Sequence, residues 1–236
     1  MYCLDSADVT FFCRDLYESK QYCSQAFFCH DMAFYLFDKD SIEELNTKEL
    51  VPQMVFRRRL TKASKLVIEA LHKIDAKNSR IIYGSSFGEL LSSSNILKAI
   101  LDESMLSPTD FQNSVYNTAV SYASILFENK NEILTISSGD ETSFKVLKAG
   151  AIKALDNDEV VLICSETINI PNIQEVNSCI DFLESVVALK VKISKEDSTI
   201  NLEDITLKGF PNSIKHLMFI AQNFDRTKKN IVRVDI

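Results

Sequence analysis

The sequence predicts a layered α/β fold, and three observations carry that prediction. Residues 133–166 read as strand, sharp turn, helix and strand in immediate succession. Residues 80–101 repeat the start of the plan: an apolar Arg80-Ile81-Ile82-Tyr83 run, a Gly/Ser turn, then a helix over 90–101. The runs at 133–137 and 160–164 lack the alternation of half-exposed strands, as expected for strands covered on both faces.

The first fifty residues carry the weakest signals. Residues 2–4 and 9–13 each have the make-up of a short strand, and residues 24–37 gather Phe27, Phe28, Phe34, Tyr35 and Phe37. That aromatic density fits core packing first, and an acyl-lining or partner-facing surface second. Cys23, Cys29 and His30 match no zinc-ligand spacing. A short charged helix over 41–50 is expected, capped by Ser41 with Glu44 at its third position. Pro52 follows, and Arg57-Arg58-Arg59-Leu60-Thr61 leads into an apolar-periodic helix over 66–74. Three adjacent arginines cannot share one helix face, so at least one should reach back to carboxylates or helix carbonyls. The others form either a solvated helix start or a basic patch for an acidic partner such as an acyl carrier protein.

Beyond the strand and helix of residues 80–101, Ser107-Pro108-Thr109-Asp110 opens a helix over 111–127 with a stripe of Val115, Ala119, Tyr122, Ala123 and Leu126. Asn117 on that helix either turns inward or is simply exposed. After the strand at 133–137, Ser137-Ser138-Gly139-Asp140 supplies turn chemistry and negative charge at a helix N-terminus. The helix over 141–155 is expected to bury Phe144, Leu147, Ala151, Ile152 and Leu155. A helix over 172–189, a half-exposed strand over 190–194, an extended segment over 199–207, an apolar helix over 213–223 with His216, and an edge strand over 231–236 complete the reading.

A chain of 236 residues can bury roughly 70–75% of its unfolded surface in one core. With only five glycines and four prolines there is no clear linker, so one domain over 1–236 is expected. A net charge of −7 argues against nucleic acid or an anionic membrane as the main partner. No apolar run is long enough to span a membrane, and no signal-peptide plan opens the chain. Six cysteines without a CxxC pair fit reduced thiols in the cytoplasm. Nothing in the residues calls for a metal or other cofactor.

Two places could carry chemistry. In strand–turn–helix units the backbone N–H groups and dipole at the turn stabilise a thiolate or oxyanion. Residues 137–140 sit at such a turn, yet offer no cysteine. The second is Gly84-Ser85-Ser86-Phe87-Gly88, a G-x-S-x-G match in the right context for a nucleophile elbow. A hydrolase of that kind could be assembled from Ser86, Asp158 or Asp181, and His216, though no oxyanion-hole motif precedes Ser86.

Four segments in order resemble the β-ketoacyl synthase-like N-terminal domain family: Arg57-Arg58-Arg59-Leu60-Thr61; Gly84-Ser85-x-x-Gly88-Glu89-Leu90; Ser107-Pro108-Thr109-x-Phe111-x-x-Ser114-Val115-x-Asn117; and Thr135-Ile136-Ser137-Ser138-Gly139-Asp140-x-x-Ser143-Phe144. The likeness is strongest over 50–170 and extends to chain-length-factor-type subunits of aryl polyene and related type II fatty-acid-like systems. It implies a thiolase-like α/β fold, a truncated form of the condensing-enzyme fold. It also implies that the turn holds the position of the acyl-accepting cysteine, at Ser138 counted back from 160–166 and at Asp140 counted forward from 108–117. Active relatives carry two histidines in a C-terminal half; here only His216 follows the turn. Decarboxylative condensation needs both groups, so the expectation is a non-catalytic subunit with a degenerate site at Ser138, Gly139 and Asp140. It would pair with an active synthase supplied by an acyl carrier protein. Phe111, Ser114, Asn117, Ile133, Thr135 and Ser137 would lie at the partner interface and acyl tunnel. Two other readings stay open: a serine hydrolase or acyltransferase using Ser86 or Ser138, and a homodimeric acyl-binding module.

Overall fold

The computed structural model describes residues 25–38, 45–156, 159–173, 180–194, 197–203, 205–225 and 228–234. Their elements, in order, are β1 (Gln25–Asp38), α1 (Thr47–Leu50), α2 (Met54–Arg57), α3 (Lys62–Lys73), β2 (Arg80–Gly84), α4 (Leu90–Leu101), α5 (Pro108–Asn113), α6 (Thr118–Phe127), β3 (Ile133–Ile136), α7 (Thr142–Ala154), β4 (Val160–Thr167), β5 (Glu184–Ser194), α8 (Lys215–Gln222) and β6 (Asn230–Val234). The expected strands at 2–4 and 9–13, the Ser41 cap and its Glu44 lie outside the described residues.

The strands form one six-stranded mixed sheet in the order β3-β2-β4-β5-β1-β6. β3, β2 and β4 run parallel, and β5, β1 and β6 continue antiparallel. This is a thiolase-like layered α/β fold. The path from β2 to β3 steps outward; the path from β3 to β4 steps back across β2. Right-handed crossovers then put the connecting helices on opposite faces. Accordingly α3 and α6 pack with Ile81, Tyr83, Val161, Ile163, Val186 and Ala188 on one face. On the other, α7 and α8 cover Ile82, Leu162, Cys164, Val187 and Leu189.

Both faces being covered explains β4, whose eight residues are all buried. It also explains Gly84: a Cβ there would lie 2.7 Å from Val146 Cγ2 and 2.8 Å from Cys164 Sγ. Only glycine lets α7 lie this close to the end of β2. α3 starts at its N-cap Thr61, whose hydroxyl accepts from the amide of Ser64 at 3.0 Å.

Several expectations need correction. β3 is not covered on both faces. Among the described strands it lies at the edge, with Leu134 exposed and the rest half-buried. The helix expected over 111–127 is broken into α5 and α6. Ser114 Oγ donates to the carbonyl of Phe111 and Thr118 Oγ1 to that of Asn113, local bonds that turn the chain between them. Val115 falls in that turn and is exposed, while Ala119 and Ala123 are buried. A 3₁₀ turn (Gly139–Glu141), with Ser138 before it, precedes α7, whose own N-cap is Glu141. Ile152 is exposed and Leu155 half-buried; Val146, Gly150 and Ala154 complete the inner stripe with Leu147 and Ala151. The helix over 172–189 is not present at its C-terminal end, where Glu184–Ser194 is β5. The β-branched Val186-Val187 run pairs there with β1 and β4. Of the extended segment, Ile200 makes an isolated bridge to Val232. No helix among the described residues is long and apolar enough to cross a membrane.

Candidate functional site

Parallel α/β sheets place their sites at the carboxyl ends of the strands. Here β2, β3 and β4 deliver three pieces to that edge: the loop 85–89, the turn 137–141 and Glu166 near the end of β4. The amide of Ser85 donates to the carbonyl of Ile136 at 3.2 Å and holds the first two together.

The turn after β3 is exposed from Ser137 to Glu141. Gly139 takes a positive φ of 54°, and Thr142 locks the turn from within. Its Oγ1 accepts from the Ser138 amide at 3.0 Å and donates to the Gly139 carbonyl at 2.7 Å. Asp140 Oδ2 accepts from Asn212 Nδ2 at 3.1 Å. Among the described residues no histidine bonds to Ser138.

His216, the imidazole that a hydrolase would need, is engaged elsewhere. Its Nδ1 lies 3.1 Å from Ser143 Oγ, and its amide donates to the same oxygen at 3.3 Å. Burial, with the positive charge of Lys215, pushes its pKa below the usual value, and Glu141 opposes this. Ser143 is fully buried on α7, so the pair ties α8 to α7 and presents no nucleophile to solvent.

The Gly84–Gly88 loop has the strand–turn–helix context of a nucleophile elbow, but its donors are already taken. Glu166, fully buried, accepts from the amide of Ser86 at 2.6 Å, the amide of Phe87 at 3.2 Å, Ser85 Oγ at 3.0 Å and Ser213 Oγ at 2.6 Å. Burial raises its pKa and these four bonds oppose the rise. An oxyanion hole needs free backbone N–H groups at the serine; here the protein's own carboxylate occupies them. Of the expected acids, Asp158 lies outside the described residues and Asp181 is tied through its amide to the carbonyl of Gly209. The Ser86–Asp–His216 grouping is not brought together.

Cys164 is the thiol closest in sequence to the turn. It is fully buried on β4, and burial raises its pKa well above the ordinary value. A thiol so placed is inert as a nucleophile.

The segment from α4 to α6 exposes several large apolar side chains. Among the described residues no strand pairs with the outer edge of β3. α4 reads Leu-Leu-Ser-Ser-Ser-Asn-Ile-Leu-Lys-Ala-Ile-Leu, yet buries only Ser92. Leu101 is 83% exposed, Met105 96% and Phe111 69%. Asn117 is exposed, Ser114, Ile133 and Thr135 half-buried. Asn117, Ser121 and Ile125 are shared by two adjoining cavities of about 330 and 210 Å³ between α5, α6 and β3. The small Ser121 and Ser124 leave room for another chain to approach there.

The β-ketoacyl synthase N-terminal domain family matches residues 38–216. The chain belongs to that family. Among solved structures it resembles a ketosynthase (ApeO) in complex with its chain length factor (ApeC) from Xenorhabdus doucetiae, with 21% identity and a TM-score of 0.58 over 74% of this chain and 75% of that one. It resembles the ishigamide ketosynthase/chain length factor with 11% identity and a TM-score of 0.52, over 65% of this chain and 49% of that one. The noncanonical ketosynthase FabY from P. aeruginosa aligns with 10% identity and a TM-score of 0.50 over 63% of this chain and 31% of that one. The chain thus spans about half the length of the second structure and a third of the last. No curated protein matches.

Within this β-ketoacyl synthase family chain, the structure gathers Ile133, Thr135, Ser137 and Ser138 on one edge, with Asn117 on the cavity lining beside them. Sequence reasoning passed over Glu166, Ser213 and Ser143. The signal for Glu166 was there: a carboxylate closing the otherwise apolar Val160–Cys164 run must find donors when buried. The split among the arginines follows expectation, because Arg57 donates to the carbonyls of Val51 at 2.7 Å and Pro52 at 3.4 Å.

Proposed function

We propose that this chain is a non-catalytic, chain-length-factor-type subunit. It pairs with an active β-ketoacyl synthase in aryl polyene or related fatty-acid- or polyketide-like biosynthesis. An acyl carrier protein delivers the growing chain to that complex.

The observation that carries this reading is the turn at the end of β3. It holds Ser-Ser-Gly-Asp, exposed throughout, at the position that the family resemblance would give to the acyl-accepting cysteine, and it follows a strand whose outer edge is unpaired among the described residues. A serine without a base is a poor nucleophile at neutral pH. Exposed large apolar side chains such as Leu101, Met105 and Phe111 fit a protein interface. The likeness to a structure of a ketosynthase with its chain length factor supports the pairing. In this reading β3 and residues 111–117 meet the synthase, and Phe111 reaches its acyl tunnel and limits chain length.

Co-expression with a full-length β-ketoacyl synthase from the same genome tests the proposal. A stoichiometric complex that survives gel filtration is expected. A monomer, or a homodimer, indifferent to that synthase contradicts it.

A further inference from the structure

The three arginines do not act as one patch. Arg57, whose Nη1 donates to the carbonyls of Val51 and Pro52, lines a pocket of about 410 Å³ formed by α1, α2 and the start of α3. Lys48, Arg58 and Lys65 line the same pocket, with Leu45 and Leu60 as apolar wall. Among the described residues none of these four cations has a carboxylate within ion-pair distance, whereas Lys62, Lys73, Arg80, Lys153, Lys190 and Lys228 each do. The chain as a whole has 33 acidic and 26 basic residues. Four like charges on residues lining one concavity repel one another, and salt screens them only partly over such a span. Such an arrangement is stabilised by a bound counter-charge, and a fixed arginine fork fits a phosphate better than a diffuse acidic surface. Lys65 is half-buried, unlike the side chains of a plain solvated charge run.

We propose that this pocket binds a phosphate group carried on a ligand whose less polar part rests against Leu45 and Leu60. Its volume falls in the range of small-molecule sites. Two sources share this chemistry: a free phosphorylated small molecule, and the phosphodiester of a carrier-bound prosthetic arm. The proposal does not depend on the subunit role, because the pocket and the β3 edge are built from different elements.

Calorimetry and thermal melting of the full chain test it, with inorganic phosphate and pyrophosphate compared against chloride at equal ionic strength. Pyrophosphate is expected to bind and to raise the melting temperature. Arg58→Ala and Lys65→Ala should each weaken binding about tenfold, the loss of one charge-assisted contact. Both variants should melt with the wild type in chloride, since neither side chain holds an internal bond among the described residues; Lys48→Ala gives a third, independent variant. Holo-carrier protein binding where the apo form does not assigns the arm as the source; pyrophosphate binding without either carrier form assigns a free ligand. No phosphate-specific effect, or one undiminished in the Arg58/Lys65 double variant, overturns the proposal. So does equal binding of apo and holo carrier with pyrophosphate inert, which would make the pocket a dock for an acidic protein surface.

Discussion

The carboxylate of Glu166 and the amide of Ser86 meet at 2.6 Å across 80 residues of chain. This bond, with those from Phe87, Ser85 and Ser213, joins β4, the loop after β2 and the turn before α8 into one polar knot. Protonated Glu166 could keep every bond by turning its hydroxyl to Ser85 or Ser213. An amide could not, because one of its two hydrogens would face the backbone N–H of Ser86 or Phe87. Glu166→Gln should therefore destabilise the fold by about 1–3 kcal/mol, the cost of one orphaned buried donor. A urea midpoint that does not move would contradict this.

Glu89 is buried beneath the N-cap of α3, where Thr61 Oγ1 donates to it at 2.6 Å. Burial raises its pKa from 4.5 to about 7, and the Thr61 bond opposes the rise. Between those values the folded chain holds a proton that the unfolded chain has lost, so stability falls as pH rises through the window. The fall amounts to about 3 kcal/mol at most. Glu89→Gln keeps the acceptor for Thr61 and removes the titration. The variant should match the wild type below pH 4.5 and exceed it above pH 7. Taking the difference between the two cancels the opposite contribution of His216, whose lowered pKa costs stability as pH falls. A constant difference across the range would show that Glu89 is not the titrating group.

Leu134 stands on the open edge of β3, exposed in the isolated chain. Leu134→Asp should destabilise the chain by no more than about 2 kcal/mol, since the side chain is only partly covered (36% exposed), leaving it folded, yet abolish co-purification with the synthase. Phe111→Ala should leave both fold and complex intact and lengthen the products of the complex, read by mass spectrometry. Unchanged product length would remove Phe111 from the tunnel.

Ser86 and Ser138 lack a histidine among the described residues, so a fluorophosphonate probe should label neither. Labelling that disappears in Ser86→Ala or Ser138→Ala would restore the hydrolase reading.

The sequence revealed the fold where local pattern and tertiary environment agree. The apolar runs of β2 and β4, the Thr61-capped α3 and the helix over 90–101 are such places. It misled where long-range pairing decides. Val186-Val187-Ala188-Leu189 fits a helix stripe as well as a strand, and only β1 and β4 on either side make it β5. The Ser114 and Thr118 bonds that split α5 from α6 leave no mark in hydrophobic periodicity. At the site, the missing cysteine was plain. The knot on Glu166 and the seat of His216 on Ser143 were not, since each joins residues at least 47 apart in the chain.

Turnover by the reconstituted synthase complex, measured with substitutions placed on each side in turn, tests most directly whether this chain works by contact. With Ser138→Ala in this chain, condensation should proceed at the wild-type rate, while alanine in place of the synthase's own nucleophile should abolish it. Loss of turnover with Ser138→Ala in a complex that still assembles would contradict the account.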